Sequence, residues 1–534
     1  MCGVWGCLGH PTWTLESSDV IEQVETLLAR GPEEVCYAAP PDSNLLFGFT
    51  RLAINGVTPV KGAFTMQPIQ QGYWTLMCNG ELYNHQQLTE EFKWNIPAGS
   101  SDCAILPYLL STVLPSHAFR IIDGVFAILA HDATTNTLLV ARDPLGVRPL
   151  FEGVTKEGVK MWASELKALS HCTHVTPFPP GTWKRYDCKT YECISGDQYY
   201  KLPIHKQYSY TEEATASLGL RRSLEAAVQK RVLITERPVG ALLSGGLDSS
   251  LVAALAAKHL PTKLHTFSIG MPGSTDLIYA KQVAEHIGSI HHEIMLEPKD
   301  FLDAIPHVIK AIETYDITSV RASVGNWLVG KWIREHTDIK VVLNGDGSDE
   351  VGGGYLYFYR APTEEEFESE CRRLLKEIHL FDVLRSDRCI SCHGLEPRTP
   401  FLDKHVVGTW SMASTALRRP IKGFRVEKEL LRNAFAKTGL LPDAVLWRRK
   451  EAFSDGVSST HDSWYSKIQD HVKSLCLPSV TTTHNPPTSL ESLWYRSLFN
   501  TYYGETKATV IPHMWLPKWS GETTDPSART LTLY

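Results

Sequence analysis

The sequence predicts two folded halves of different class: a strand-rich antiparallel first half, ending near Asp197, and an α/β second half with a parallel sheet covered by helices. Three observations carry this. Short β-branched and aromatic runs separated by turns dominate the first 197 residues. A polar, tyrosine-rich stretch at 198–211 interrupts them. Beyond it the order strand, glycine-rich loop, helix recurs, as a parallel sheet requires.

In chain order, residues 45–54, 73–78, 125–131, 138–142 and 159–163 read as strands, and 132–137 as a hairpin connection. In the second half, strand 238–243 runs into Ser244-Gly245-Gly246, after which Leu251, Val252, Leu255 and Ala256 recur at helical spacing. Residues 264–269 and 340–343 are further strands, the latter leading into Gly345-Asp346-Gly347. Ligands are expected at the carboxyl ends of such strands. Segments 363–388 and 426–437 read as charged helices, and 481–489 as a surface loop.

With 534 residues the chain is too long for one ordinary core, at roughly 100 to 200 residues per domain. A 43% hydrophobic and 21% charged composition suits a folded protein. The formal charge of -6 argues against a nucleic-acid partner, so the Trp447-Arg448-Arg449-Lys450 cluster is read as a grip for one small anion. The 12 cysteines follow no secretory signal, and reduced thiols in the cytoplasm are expected. No run of 18 apolar residues suggests a membrane span.

Cys2 stands where removal of Met1 would leave its thiol beside a free α-amine. That amine titrates at about 7.7 to 8.0 and the thiol at about 8.5, so one residue can supply both nucleophile and base. The alternative is a small buried thiol. Arg30-Gly31-Pro32, Phe49-Thr50-Arg51-Leu52-Ala53-Ile54, Cys78-Asn79-Gly80-Glu81-Leu82-Tyr83-Asn84, Gly99-Ser100-Ser101-Asp102, Asp123-Gly124-Val125-Phe126 and the segment from Arg142 to Leu150 follow in order. With Met1-Cys2-Gly3 they resemble the class II glutamine amidotransferase domain. The resemblance implies an α+β Ntn-hydrolase-type domain of stacked antiparallel sheets flanked by helices, and a cysteinyl thioester. It also implies glutamine bound by Arg51, Asn79, Gly80, Glu81 and Asp102, with backbone near Ile54 and Asn55 lining the pocket. Asn79 and Gly80 can offer an amide and a backbone N–H to a developing oxyanion. Thr50 and Ala104 depart from the usual pattern, where histidine and an acidic residue are common.

The segment Ser244-Gly245-Gly246-Leu247-Asp248-Ser249 lies between a strand and a helix. Its glycines let backbone amides approach phosphate oxygens, and Asp248 can hold Mg²⁺. No lysine follows the glycines, so this is not a Walker A loop. It resembles the loop of enzymes that cleave ATP between the α and β phosphates. Added to it are the loop Asn344-Gly345-Asp346-Gly347-Ser348-Asp349-Glu350, the runs from Glu313 to Ser323 and from Gly394 to Asp403, and the run from Trp447 to Gly456. The whole set resembles the glutamine-hydrolysing asparagine synthetases, and Pro517-Lys518-Trp519 and 524–531 fit as well.

This resemblance implies glutamine, aspartate and ATP as substrates, with an aspartyl-AMP intermediate. ATP would meet Leu242, Ser244, Gly245, Gly246, Asp248, Ser249, Ile269, Asn344 and Gly345, and Mg²⁺ would be held by Asp248 and Asp349. Arg321 and Lys450 would stabilise charge on the α-phosphate and pyrophosphate, with Thr318 and Ser319 as donors. Asp346 stands where the family has the glutamate that supports adenylate formation and aminolysis, and Asn344 where it has serine. A reduced synthetase rate is therefore expected. Residues 2–200 would form the glutaminase domain, 201–212 a linker and 213–534 the synthetase domain, with an internal ammonia tunnel and a homodimeric assembly. Two other readings stay open: a ligase of this architecture acting on another acid, and a catalytically weakened regulatory homologue. Cys389-Ile390-Ser391-Cys392-His393 matches a haem-attachment pattern, but without export or a second ligand pair it is read as neither haem nor zinc site. His291-His292 is read as a strand edge.

Overall fold

A computed structural model describes the chain except residues 59, 204–207, 460–461, 479, 520 and 522–534. Part of the 201–212 stretch and the whole 524–531 motif therefore lie outside the described residues.

Two six-stranded antiparallel sheets make up the first half. Strand Gly124–Asp132 pairs with Trp74–Leu82 on one side and with Thr137–Arg142 on the other. Its Ala127 and Leu129 pack against Val4, Phe47 and Trp162 of the second sheet, while Phe126, Ile128 and Ala130 face Leu106 and Leu109 of the helix Ile105–Thr112. Burial on both faces explains the unbroken run Val125-Phe126-Ala127-Ile128-Leu129-Ala130, where a sheet with one wet face would alternate. Truncating Leu129 to alanine would cost about 2–5 kcal/mol.

In the second half five parallel strands lie in the order Ile290–Met295, His265–Gly270, Val239–Leu242, Val341–Leu343, Glu396–Arg398. The first of these in sequence, Val239–Leu242, is central, and the chain leaves it first toward one edge and later toward the other. The crevice between the carboxyl ends of Val239–Leu242 and Val341–Leu343 is thus a topological switch point, where such sheets bind ligands. His291 and His292 lie on the edge strand. Helix Leu247–Ala257 follows the first glycine loop, and helix Ile317–His336 is capped by Asp316, whose carboxylate accepts from the Ser319 amide at 2.8 Å. Residues 363–388 form two helices, Glu364–Glu377 and Asp382–Ser391, and 426–437 contains the shorter Glu429–Phe435.

Packing does not respect the change of class. Trp5, Phe151 and Met161 of the first half share one buried apolar cluster with Ile305, Val308 and Ile390 of the second, and Leu52 and Val147 share another with Leu247 and Phe401. The halves therefore meet through core, which fixes the distance between their sites. Among the described residues no helix is long and apolar enough to cross a membrane.

Candidate active sites

The first pocket forms where Cys2, at the start of strand Gly3–Leu8, faces the end of strand Trp74–Leu82 and the loop after Arg51. Arg51, Ile54, Asn55, Asn79, Gly80, Glu81 and Asp102 all line it beside Cys2. The Cys2 thiol donates to the Leu52 carbonyl at 3.7 Å, and the Arg30 Nε donates to the Cys2 carbonyl at 3.1 Å. Burial pushes the thiol up from its ordinary value, against the opposing pull of the adjacent amine. The same burial lowers the Met1 amine to about 6, so an amine in this setting is neutral at pH 7.

Asn79 is fully buried, and neither its amide nitrogen nor its oxygen has a hydrogen-bond partner among the described residues. Buried polar atoms are normally paired, so an open amide lining a pocket beside a thiol suits an oxygen that gains charge during reaction. Gly80 lets strands approach: a Cβ there would lie 2.3 Å from the Val125 carbonyl. Asp102 accepts from the Leu82 amide at 2.7 Å, and Glu81 from the Asn55 amide at 2.9 Å. Burial, with Asp102 nearby, raises Glu81 well above the carboxylate range, and burial also raises Asp102. An ammonium ligand would oppose both shifts. Arg51 binds the Gly56 carbonyl at 2.9 Å and Glu34 at 3.0 Å. Thr50, by contrast, is turned into the core, donating to the Leu27 carbonyl.

Two pocket residues escaped the sequence reading. Gln67 clamps the Cys78 backbone through both side-chain atoms, at 3.1 and 2.6 Å. Glu396 reaches this pocket from the second half and pairs with Arg398, which also holds Glu81 at 3.3 Å. No local pattern marks Gln67, and Glu396 falls in the run from Gly394 to Asp403 without any sign that the fold brings it to this pocket.

The second cavity opens at the switch point. Leu242, Ser244, Gly246, Asp248, Ser249, Ile269, Asn344, Gly345, Asp346, Asp349 and Lys450 line it, as does Thr318. The two glycine loops touch: a Cβ on Gly345 would stand 2.6 Å from the Ser249 amide. Gly245 is not among the lining residues. At φ +71° it turns the chain, and its Cα packs on Tyr279 and Ala280.

Arg321 is likewise outside the lining, contrary to the sequence expectation. Its guanidinium grips Glu491 through Nε at 2.7 Å and Nη2 at 2.6 Å, over the Tyr465 ring. A buried fork-to-carboxylate pair of this kind is hard to separate, because a lone buried charge is costly.

Asp248 and Asp349 share one ammonium. Lys428 Nζ lies 2.6 Å from the first and 2.7 Å from the second, and Lys450 also pairs with Asp349. Burial alone would raise Asp349, but the two lysines outweigh it and hold the carboxyl well below its ordinary range. Asp346 is bound by Arg385 at 2.9 Å and by the Ser386 hydroxyl at 2.6 Å. Burial and neighbouring carboxylates push Glu350 and Asp382 upward. Arg448 pairs with Asp276 at 2.8 Å, yet burial still raises that carboxyl to about 7. Lys428 and Arg385 were missed in the sequence, where both sit in segments read as charged helices.

Among the described residues no three His, Cys, Asp or Glu side chains are arranged to hold a metal. Two half-buried carboxylates bridged by one lysine nonetheless fit Mg²⁺ in its usual nucleotide mode, in which substrate phosphates and water complete the shell. Cys389 and Cys392 fall in and just after helix Asp382–Ser391, with Cys389 fully buried, and His393 packs edge-on against Trp327.

A thiol pocket on stacked antiparallel sheets, joined through one core to an anion-binding switch point on a parallel sheet, defines a two-site enzyme with an amidotransferase half. Comparison with known proteins agrees. A family model for the glutamine amidotransferase domain matches residues 1–180, and one for asparagine synthase matches 219–370 and 361–524. The chain is 40% identical over 574 aligned residues to the glutamine-hydrolysing asparagine synthetases of Cricetulus griseus and of Gallus gallus, covering 100% of this chain and 99% of each relative. Identity to the Homo sapiens relative is 39% over the same span. This chain belongs to the asparagine synthase family.

Proposed function

We propose that the chain amidates L-aspartate to L-asparagine with ATP, using ammonia released from glutamine at Cys2. In this reading residues 2–200 are the glutaminase domain, 201–212 the linker and 213–534 the synthetase domain. The observation that supports it best is the pairing, in one rigid chain, of a thiol pocket with an open buried amide and a switch-point cavity holding Asp248 and Asp349.

With Met1 removed, the Cys2 thiol passes its proton to its own amine as the sulfur attacks the glutamine side-chain carbonyl, and the amine returns that proton to the nitrogen that leaves. Asn79 and the Gly80 amide meet the oxyanion, and Glu81 and Asp102 meet the substrate ammonium. Ammonia leaves, and water frees glutamate from the thioester. In the second cavity the amides and hydroxyls of Ser244 to Ser249 bind phosphate, Leu242 and Ile269 bound the nucleotide, and Asn344 and Gly345 line the opposite wall. The aspartate side-chain carboxylate displaces pyrophosphate from the α-phosphate to give aspartyl-AMP, which ammonia converts to asparagine and AMP. Asp248 and Asp349 would hold Mg²⁺, which neutralises phosphate charge. Lys450 adds a cation on the departing side, and Lys428 joins it in this reading. Arg321 acts only at one remove, by fixing the helix that carries Thr318.

Cytoplasmic location and homodimeric assembly accompany the reading. Incubation with glutamine, ATP, Mg²⁺ and aspartate tests it: asparagine, glutamate, AMP and pyrophosphate in equal amounts are expected. ATP turnover indifferent to aspartate would assign another acid instead.

A further inference from the structure

Helix Ile317–His336 walls one side of the second cavity with a single face: Thr318, Ala322, Asn326 and Val329, at helical spacing, all line it. Asn326 lies about 12 Å along the axis from Thr318, at roughly 1.5 Å per residue. Thr318 stands beside Asp382 and Arg385, so its end of the face belongs to the charged part of the cavity. The other end is apolar. Gly325 packs there on Phe453 and Ile269: a Cβ on it would lie 2.8 Å from the ring and 3.6 Å from the Ile269 side chain. Phe267 and Val329 belong to the same apolar cluster, with Leu242 and Phe453 packed against it. An apolar recess at this distance from the charged end suits the base of a nucleotide.

Asn326 is the anomaly of that recess. It is 7% exposed, lines the cavity, and its amide has no hydrogen-bond partner among the described residues. Buried polar groups are normally paired, and asparagine is a poor helix former inside a helix of 20 residues, so packing alone gives no reason for it. Ser268, also polar and lining this end, already meets the His291 ring at 3.1 Å. The sheet supplies a second open pair. The Phe267 carbonyl accepts from the Leu243 amide at 2.8 Å, and backbone groups two residues apart on a strand point to the same neighbour. Ile269 therefore turns its N–H and C=O to the side on which strand Val239–Leu242 has ended.

Adenine has an edge for each pair. Its 6-amino group carries two hydrogens, one beside N1 at the tip of the base and one beside N7 on a flank. Val329 continues the helix wall beyond Asn326, so Asn326 meets a flank and not the tip. We propose that Asn326 selects adenine by its N7 edge: Oδ1 accepts from the 6-amino group and Nδ2 donates to N7, which leaves Ile269 for the N1 edge. An asparagine amide matches adenine N6 and N7 in this bidentate way, whereas guanine presents two acceptors there and leaves the amide oxygen facing another oxygen. The proposal rests on the reading of this cavity as the ATP site and names the residue that chooses the base in it.

The test uses the full chain and needs no chemistry at the site. Dissociation constants for ATP and for 7-deaza-ATP, which has C–H in place of N7, are measured by calorimetry with Mg²⁺ and without aspartate or glutamine. The unsubstituted chain should hold ATP about tenfold more tightly, as expected when a hydrogen bond is lost and its buried donor left unpaired. Asn326→Leu, similar in shape but without polar atoms, should bind the two nucleotides equally. Asn326→Asp should reverse the order, because its carboxylate still accepts from the amino group but repels the N7 lone pair; 7-deaza-ATP then becomes the tighter ligand.

Equal affinities in the unsubstituted chain would overturn the proposal, whether or not the variants fold. So would a preference for ATP that survives in Asn326→Leu or Asn326→Asp. Either result would leave the ATP site itself standing. Failure of the unsubstituted chain to bind either nucleotide would overturn the proposal together with that site, whereas the expected preference, with no asparagine formed once aspartate and ammonium are added, would support it and count against aspartate alone.

Discussion

Around Cys2, the fully buried amide of Asn79 waits without a hydrogen-bond partner among the described residues, whereas between the two glycine loops Asp248, Asp346 and Asp349 are each already met by a lysine, arginine or serine. On the proposed function, the contrast follows from the chemistry each site hosts. A developing oxyanion is best served by neutral dipoles fixed in advance, which cost nothing to reorganise when charge appears. A polyphosphate arrives fully charged, and a cavity of bare lysines awaiting it would destabilise the fold. Interleaving the cations with carboxylates keeps them charged and buried until a ligand takes over as partner. The first site is thus poised by leaving the Asn79 amide unsatisfied and the second by pairing its aspartates provisionally.

Separating the sites by mutation gives the sharpest contrast. Cys2→Ala should lower glutamate release by at least roughly a thousandfold, as loss of a nucleophile does. Asparagine formation from ammonium should be untouched, and a parallel loss there would show that the sites are not separable. Asp349→Asn should do the reverse, lowering ammonium-dependent synthesis by about 10²–10³-fold while glutamate release continues. Both half-reactions, assayed on each variant, check the pair.

A pH experiment addresses the buried charge around Arg30. Burial alone would raise Glu165, but Lys167 and Arg30 outweigh it and bring its pKa to about 2. A depressed carboxyl stabilises the fold above its unfolded value, near 4.5, and the contribution fades as pH falls toward 2. Thermal melts should therefore lose of the order of 3 kcal/mol across that window, and Glu165→Gln should remove this portion of the pH dependence. An unchanged slope in the variant would mean that the pair contributes nothing. The smallest effect is expected at Asp346. Extending it to glutamate should raise synthetase turnover, by up to about a hundredfold if one methylene of reach is what the site lacks. Equal turnover would show that the Arg385 and Ser386 contacts already place the shorter carboxylate correctly.

Legibility in the sequence differed between the sites for the same reason that their chemistry does. Every residue expected around glutamine lines the first pocket, because these residues sit at strand ends and adjoining turns whose order the chain preserves. In the second cavity the two glycine loops read equally well, since a phosphate loop is local: it needs glycines, hydroxyls and a helix start within six residues. Arg321 misled because a cation beside Thr318 and Ser319 looks like a phosphate ligand until Glu491, 170 residues away, is seen to hold it. Lys428 and Arg385 went unnoticed because a lysine or arginine in a charged helical segment has the same local signature whether it faces water or a buried carboxylate.

The sequence by itself determined the class of each half and the segments, Cys2 and the two glycine loops among them, that line the two pockets. All of these depend on periodicity or on contiguous residues, which survive without any knowledge of long-range contacts. Tertiary structure alone decided which cations are committed to structural carboxylates, which remain at the cavity, and that Glu396 of the second half reaches the first pocket. The physical reason is that an ion pair is defined by the partner it finds in space, and burial fixes that partner only after both halves have packed into one core.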